Sequence, residues 1–497
     1  MARRGSVTVF LALILSLLLT LVCSSIESVR MAAARTQILN GLDIGLYSLF
    51  GQYDKEILKD YDLFVLDGSG GGDKLNMAAV YDNLESYMKP ILRQNSQKLS
   101  IAQGGFTGYR LLTDDGGEVF YQQVTRYMQD TLGSQGVQLL LQRMKGREEQ
   151  TKEAEERGQQ AESGNALESY DSEMDSAAKN SQAAMEEAQQ NQNGEASDGT
   201  QGNGDDFTSA PEPVPVENPI TIIRRIRKMG ILELVIPRGK GVSDNSVSKG
   251  TLVSGRNIQQ GMPMYGGGTK DDSYTSQVLF QQYLMDKLGN YQKPAAAGLR
   301  YQVEYVLGGK DDDIGNLKSV ANKLLLIREG VNFASLMADS AKRAQAQALA
   351  LAIASGFLIP PAATIIEGAL LLCWSFAESV LDVRELFDGG KVALIKSAAD
   401  WQLSLENLPR LLEGLDSVRK SSDKGMTYED YLQVLLLTAG RENKIKWAMD
   451  MIELTIRTAG GRAGFCLDSC IVAIEASVDV KANKRKTFTA IRQYCYD

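Results

Sequence analysis

The first thirty residues, MARRGSVTVFLALILSLLLTLVCSSIESVR (1–30), decide the architecture. No charged side chain falls between Arg4 and Glu27. As a helix such a run is about 30 Å long, the hydrocarbon thickness of a bilayer. A core helix of a water-soluble protein is interrupted by polar residues at helical spacing, and LALILSLLLTLV is not. The run exceeds the roughly 7–15 apolar residues of a cleaved signal, so a retained transmembrane helix is expected over 7–26. Arg3, Arg4 and the amino terminus lie on one side, while beyond the run Glu27 and Asp43 partly offset Arg30 and Arg35. Arm 1–6 is therefore expected in the cytoplasm and the bulk of the chain outside the cell, held by membrane lipid.

The helical pattern continues past the membrane. Ile26, Val29, Ala33, Leu39, Leu42, Leu46 and Leu49 form a stripe, with Arg30, Arg35, Gln37 and Asp43 elsewhere, so an amphipathic stem is expected. Arg3-Arg4-Gly5 directly before an uncharged helix resembles the leaders of type IV-like prepilins, and specifically of tight-adherence (Tad) pilus assembly proteins. The resemblance implies cleavage by a prepilin peptidase after Gly5. Phe10 stands where many of these pilins carry a glutamate.

Working outward, 62–66 reads as a buried strand ended by the glycine-rich loop 67–72, and 75–99 and 118–144 read as helices. These belong with the stem to a first part of the body, 27–144. From 145 to 217 the composition turns to Glu, Gln, Ser, Ala, Asn and Gly, ending in Pro211-Glu-Pro-Val-Pro215. Such a stretch buries too little surface to offset its ordering entropy and reads as a disordered acidic linker. The main body, 218–497, resumes with a strand at 231–236, a glycine-rich loop at 255–270, a helix at 276–288 and an alternating strand at 299–307. Asp311, Asp312 and Asp313 are expected to cap a helix. The second uncharged run, 344–377, interrupted by Pro360-Pro361, is too short on either arm to span a bilayer and is expected as a buried helical hairpin. Further helices are expected at 379–387, 404–412, 427–437 and 441–457, and a β-hairpin over 470–496. Long insertions cost little when their ends meet, so the strand near Asp62 is expected to share one sheet with those after the linker. The fold class is thus α+β and mostly helical, with a transmembrane helix, a stem and an extracytoplasmic body containing an antiparallel sheet.

Composition narrows the chemistry. The 497 residues hold 53 basic and 62 acidic side chains, a net charge of −9, with five cysteines and no histidine. Without histidine there is no Ser-His-Asp triad, no Cys-His dyad and no histidine zinc site. With Arg3 and Arg4 set aside, 51 basic residues face 62 acidic ones, so the exported body carries −11 and no nucleic-acid partner is expected. Asp67-Gly-Ser-Gly-Gly71 resembles the Asp-x-Ser-x-Ser metal loop of von Willebrand factor A domains, but the second serine position is Gly71, and a plain turn is expected. The aspartates 311–313 lack the spaced ligands of an EF-hand. Glu367 and Glu378, about 16 Å apart on one helix, are too distant for an acid–base pair. Cys466, Cys470 and Cys495 are a disulfide candidate outside the membrane, with buried thiols the alternative. No catalytic, cofactor-binding or metal residue is assigned, and the chain is expected not to be an enzyme.

Three segments, 304–333, 370–397 and 470–497, are similar to an uncharacterised family of Gram-positive bacterial membrane proteins, a domain of unknown function. That resemblance implies no activity. The function expected is a structural or assembly component of a Tad or other pilus-like surface or secretion system, with pilus-assembly proteins as partners. The alternative is a membrane-anchored binding or sensing module.

Overall fold

The computed structural model describes residues 3–94, 98–162, 168–172, 175–176, 179, 218–264, 270–356, 362–415, 421–422, 425–482 and 486–496. The rest of the acidic segment, with Pro211–Pro215, lies outside the described residues, as do Pro360-Pro361 and the hairpin tip 483–485.

Helix α1 (Arg3–Phe50) is a single run of 48 residues, about 72 Å long. Its two halves differ in what they touch. From Val7 to Val29 the large apolar side chains are exposed, and no residue of the most apolar window is buried by the rest of the chain. From Ala34 onward the helix is packed: Ala34, Ile38, Leu42, Leu46, Leu49 and Phe50 are buried at three- and four-residue spacing. Burying the five large side chains contributes roughly 10 kcal/mol before entropy costs, which fixes the inner half to the body. Leu42, Leu46 and Leu49 of the expected stripe are in this seam, whereas Ile26 and Val29 point to the surroundings. Gly45 lets the next long helix approach, since a Cβ there would stand 2.8 Å from Met88 Cγ and 3.1 Å from Leu84 Cδ1.

Short helix α2 (Lys55–Tyr61) leads to strand β1 (Leu66–Asp67), and α3 (Met77–Arg93) packs along α1. Strand β2 (Ser100–Leu111) follows, then α4 (Asp114–Glu162), which is broken at Gly133 (φ +63°, ψ 172°). The first eighteen residues of the expected disordered linker are therefore helical, with Thr151 buried and Arg147 paired with Asp430 at 2.8 Å. The insertion's two ends meet: Asn218 Nδ2 donates to the Tyr170 hydroxyl at 2.6 Å, and Arg224 pairs with Asp171.

The main body is helical: α5 (Pro219–Arg227), α6 (Ile231–Val235), α7 (Tyr274–Lys287), α8 (Gln302–Gly308), α9 (Asp313–Ala338), α10 (Ser340–Gly356), α11 (Ala363–Asp388), α12 (Leu411–Gly414), α13 (Tyr428–Thr438) and α14 (Arg441–Ala459). Two expected strands are corrected. The expected strand 299–307 is instead a loop through Tyr301 followed by helix α8, because Gln302 and Glu304, read as a solvent face, are buried and hydrogen-bonded, so the alternation marks no open side. The expected strand 231–236 is instead helix α6 over Ile231–Val235, with Ile231, Leu234 and Val235 buried at helical spacing. The expected buried hairpin holds for one arm: 78% of the apolar window of α11 lies inside the body, whereas α10 buries only Ala346, Ala350, Ile353 and Ala354 and leaves Leu351 and most of its other residues exposed. Asp312 Oδ1 caps α9 by accepting from the Gly315 N–H at 2.7 Å.

Strands β3 (Cys470–Ala482) and β4 (Lys486–Cys495) form the expected C-terminal hairpin. β3 is the centre of an antiparallel sheet, paired along one edge by β2 and along the other by β4, with β1 against its first residues. Of the expected strand 62–66 only Leu66, continued by Asp67, is a strand, and this pair shares the sheet with β3, across more than 400 residues of sequence. One face carries Ile474, Ala476, Val478 and Val480, buried beneath α1 and α3. The opposite face carries Glu475, Ser477, Asp479 and Lys481 of β3, flanked by Gln103 and Thr107 of β2 and by Thr487, Thr489, Ile491 and Gln493 of β4. Among the described residues no helix covers that face beyond its foot, where α4 passes. An antiparallel sheet tolerates this when its open side is polar.

Candidate functional site

Buried charge is concentrated in two clusters. In the first, the side chains of Arg328 of α9, Glu378 and Asp382 of α11 and Lys396 of the following loop are at most 2% exposed. Arg328 Nε and Nη2 donate to Asp382 Oδ2 at 3.0 and 2.9 Å, and its Nη1 donates to the carbonyls of Ala393 and Leu394. Lys396 Nζ sits 2.5 Å from Asp382 Oδ1 and also pairs with Glu378. Both Glu378 oxygens accept backbone N–H groups, from Gln402 and Leu403, at 2.9 Å. Burial pushes the Glu378 carboxyl up, while Lys396 pulls it back. Burial also opposes ionisation of Asp382, but Lys396 and Arg328 outweigh it and hold that carboxyl below its usual range. Two cations and two anions at this depth form a closed neutral quartet that ties α9, α11 and a loop together. Glu367, by contrast, meets Arg343 of α10 at 3.6 Å near the surface. The two glutamates flanking Trp374 therefore act apart.

In the second cluster Asp450 and Glu453 of α14, with Asp468, hold the loop before α7. Asp450 accepts from the Ser254 N–H and hydroxyl and from the Tyr305 hydroxyl, while Arg256 spans Glu453 and Asp468 at 2.5 and 2.6 Å. The loop so fixed reaches β2, where Met262 bridges Tyr109 and the Gly261 N–H donates to Asp114 Oδ1 at 2.9 Å. The described part of the expected glycine-rich loop, 255–264, is thus a clamp between sheet and helices, and 265–269 lie outside the described residues.

The residues singled out in the sequence are scattered. Gly5 falls in the first turns of α1. Asp67 Oδ1 accepts from the Ser69 N–H and hydroxyl, and its Oδ2 receives Arg462 at 2.8 Å, so the loop is a tied turn. Cys466, Cys470 and Cys495 stand as thiols, with no disulfide. Cys470 is paired with Asp67 in the sheet, whereas Cys495 lies opposite Ala473, three residues along β3. Cys466 lies before the strand, its sulfur accepting from Arg457 at 3.3 Å. Burial raises the Cys466 and Cys470 thiols, so neither is a ready nucleophile. Among the described residues no group of three acidic or cysteine side chains is placed to hold a metal ion.

A cleft of about 400 Å³ opens at the foot of the uncovered sheet face, between β2, the end of β4 and α4. Sequence reasoning missed it, because its walls come from residues far apart in the chain. Its charged lining is balanced, with Arg110 and Arg126 against Asp62 and Asp130. Gln122 and Gln123 add amides, and Phe64, Tyr127 and Tyr496 add rings. Asp62 pairs with Lys287, and the hydrogen bond Tyr127 gives Asp62 raises the tyrosine hydroxyl. Gln123 Nε2 donates to the Phe64 carbonyl at 2.9 Å, which leaves its Oε1 buried without a partner. Arg126 and Asp130, one turn apart on α4, are exposed and make no ion pair within the described residues. The arrangement offers donors and acceptors side by side, with no paired nucleophile and base.

No curated protein and no solved structure matches the chain. A family profile matches from 210 to 482. The match contains β3 but stops before β4 and excludes β1 and β2, so the folded sheet is larger than the matched segment. Since the matched residues make up more than half of the sequence, the chain belongs to DUF5702, a family of unknown function.

Proposed function

We propose that this chain is a non-enzymatic, single-pass membrane-anchored protein that serves as a structural or assembly component of a Tad or other pilus-like surface or secretion system. One observation carries the reading: α1 is an unbroken rod whose outer half is buried by nothing among the described residues and whose inner half is locked into the body by Ala34, Ile38, Leu42, Leu46 and Phe50. A subunit that must be held in a bilayer and handed on to an assembly needs an apolar helix free on all sides and rigidly joined to its head. About 12 Å of helix separates Ile26 from Ala34, so the body stands just clear of the lipid. Arg3 and Arg4 keep the short arm cytoplasmic, and the acidic body faces outward. Its partners are membrane lipid and other assembly proteins, not nucleic acid. Gly5 is the position at which a prepilin peptidase would cut. The test is Gly5→Leu in the native host, read by intact mass and by co-purification. A mature chain beginning at Ser6, uncut in the variant, with pilus-assembly proteins recovered alongside it, is expected. An unchanged mass together with no assembly protein recovered refutes the pilus reading.

A further inference from the structure

The uncovered face of the sheet is an ordered polar surface, and the cleft lies at its foot. Thr107 Oγ1 donates to Glu475 Oε1 at 2.6 Å, while Gln103 Nε2 and Thr489 Oγ1 both donate to Asp479, at 2.7 and 2.6 Å. These bonds hold the side chains in place across three strands, so a ligand would meet groups already oriented. A second depression, of about 290 Å³, lies on the same face between Gln103, Thr107, Ser477 and Asp479. From Ala473 to Lys481 the face runs about 27 Å, room for an extended chain rather than one small molecule.

We propose that this face and its cleft form a binding track for an extended, neutral, polyhydroxylated chain, a glycan. A hydroxyl both gives and takes a hydrogen bond, so a surface that reads it presents donors and acceptors together. The cleft does so with Arg126 beside Asp130 and Gln122 beside Gln123, and the track with Thr489, Asp479 and Gln103. The unpartnered Gln123 Oε1 requires a donor, which a hydroxyl supplies and an anion does not. The rings of Phe64 and Tyr496, stacked with centroids 5.8 Å apart, add apolar wall for the face of a sugar. A polyanion is opposed along the track by Glu475 and Asp479 and in the cleft by Asp62 and Asp130, which balance Arg110 and Arg126, and an apolar peptide finds few large aliphatic side chains among the described residues of the three strands on this side, Ile491 exposed and Val472 in the cleft wall.

The test uses the full chain in phospholipid nanodiscs, which avoid sugar-headed detergents. Calorimetric titration and saturation-transfer NMR would be run with the N-acetylglucosamine tetramer and with cellotetraose. At least one tetramer is expected to bind, and Arg126→Ala and Gln493→Ala, both at exposed positions, should each weaken it about 5-fold, the worth of one hydrogen bond. Lys293→Ala, on a surface that lines neither depression, should leave binding unchanged. No binding of either tetramer at about 10 mM overturns the proposal. So does binding unaffected by both variants, or binding of inorganic phosphate in place of the tetramers.

Discussion

Replacing Lys396 with methionine removes one of the two cations that neutralise Glu378 and Asp382 in the buried quartet. Unit charges 2.9 Å apart, the Arg328–Asp382 separation, attract by roughly 6 kcal/mol at an effective dielectric of about 20, most of it offset by desolvation. The net worth of the intact quartet is therefore small, but leaving one carboxylate without a partner is expected to cost about 3–5 kcal/mol. The variant keeps Arg328 on Asp382 and strands Glu378, whose carboxyl burial and Asp382 both push up once Lys396 is gone. The folded variant then holds a proton that the unfolded chain releases. Its deficit is therefore largest at high pH and shrinks as pH falls through the folded-state pKa, by up to about 1.4 kcal/mol per pH unit. Adding Glu378→Gln restores neutrality, retains one acceptor for the Gln402 and Leu403 N–H groups, and should return stability to within about 2 kcal/mol of the parent. Urea unfolding of the parent, both single variants and the double variant, at pH 8 and pH 5.5, measures the cycle. A cost of Lys396→Met below about 1 kcal/mol, or strictly additive single costs, refutes the electrostatic account.

Gly45→Val should lose about 1–3 kcal/mol by crowding Met88 and Leu84, whereas Gly146→Ala, with open space around it in α4, should gain up to about 1 kcal/mol; chemical denaturation compares them. Glu304 is fully buried, accepts from the Tyr428 hydroxyl and the Tyr291 N–H through one oxygen, and is pushed by burial from 4.5 up to about 7. Below 4.5 both states carry its proton. As pH rises the unfolded chain releases it first, so stability should fall between pH 4.5 and 7 and lose about 3 kcal/mol in all. Glu304→Gln should flatten that slope in denaturation curves taken across the range. Deleting 180–209 should alter stability by no more than about 1.5 kcal/mol and leave one cooperative transition, because Tyr170 and Asp171 already sit against Asn218 and Arg224.

The elements legible in the sequence were those whose burial pattern belongs to one side. The charge-free start of α1, the alternation of β3 and the aspartates before α9 each answer to a local rule. Residues 299–307 misled because Gln302 and Glu304 are buried along with the apolar set: Gln302 donates to the Thr455 hydroxyl and accepts from the Gly289 N–H, and Glu304 accepts from the Tyr428 hydroxyl and the Tyr291 N–H. Strand β2 escaped notice because Gly104, Gly105 and Gly108 erase its pattern. Those glycines have tertiary reasons: a Cβ on Gly104 would strike the Tyr81 hydroxyl, and one on Gly108 would lie 2.8 Å from the Pro263 carbonyl. The cleft was not legible, since Asp62, Arg110, Arg126 and Cys495 converge only through the pairing of β2 and β4 with β3. The buried quartet was half visible: Glu378 was noted, but its partner eighteen residues on was not.

In the proposed topology α1 holds the body outside the membrane with its N-terminal arm in the cytoplasm. Cys495 is exposed at the end of β4, on the body and far from the apolar half of the helix. Labelling intact cells with a membrane-impermeant maleimide tests the claim directly. The chain is expected to be labelled without lysis, and Cys495→Ser to lose most of the label. Labelling that appears only after the cells are broken open would contradict it.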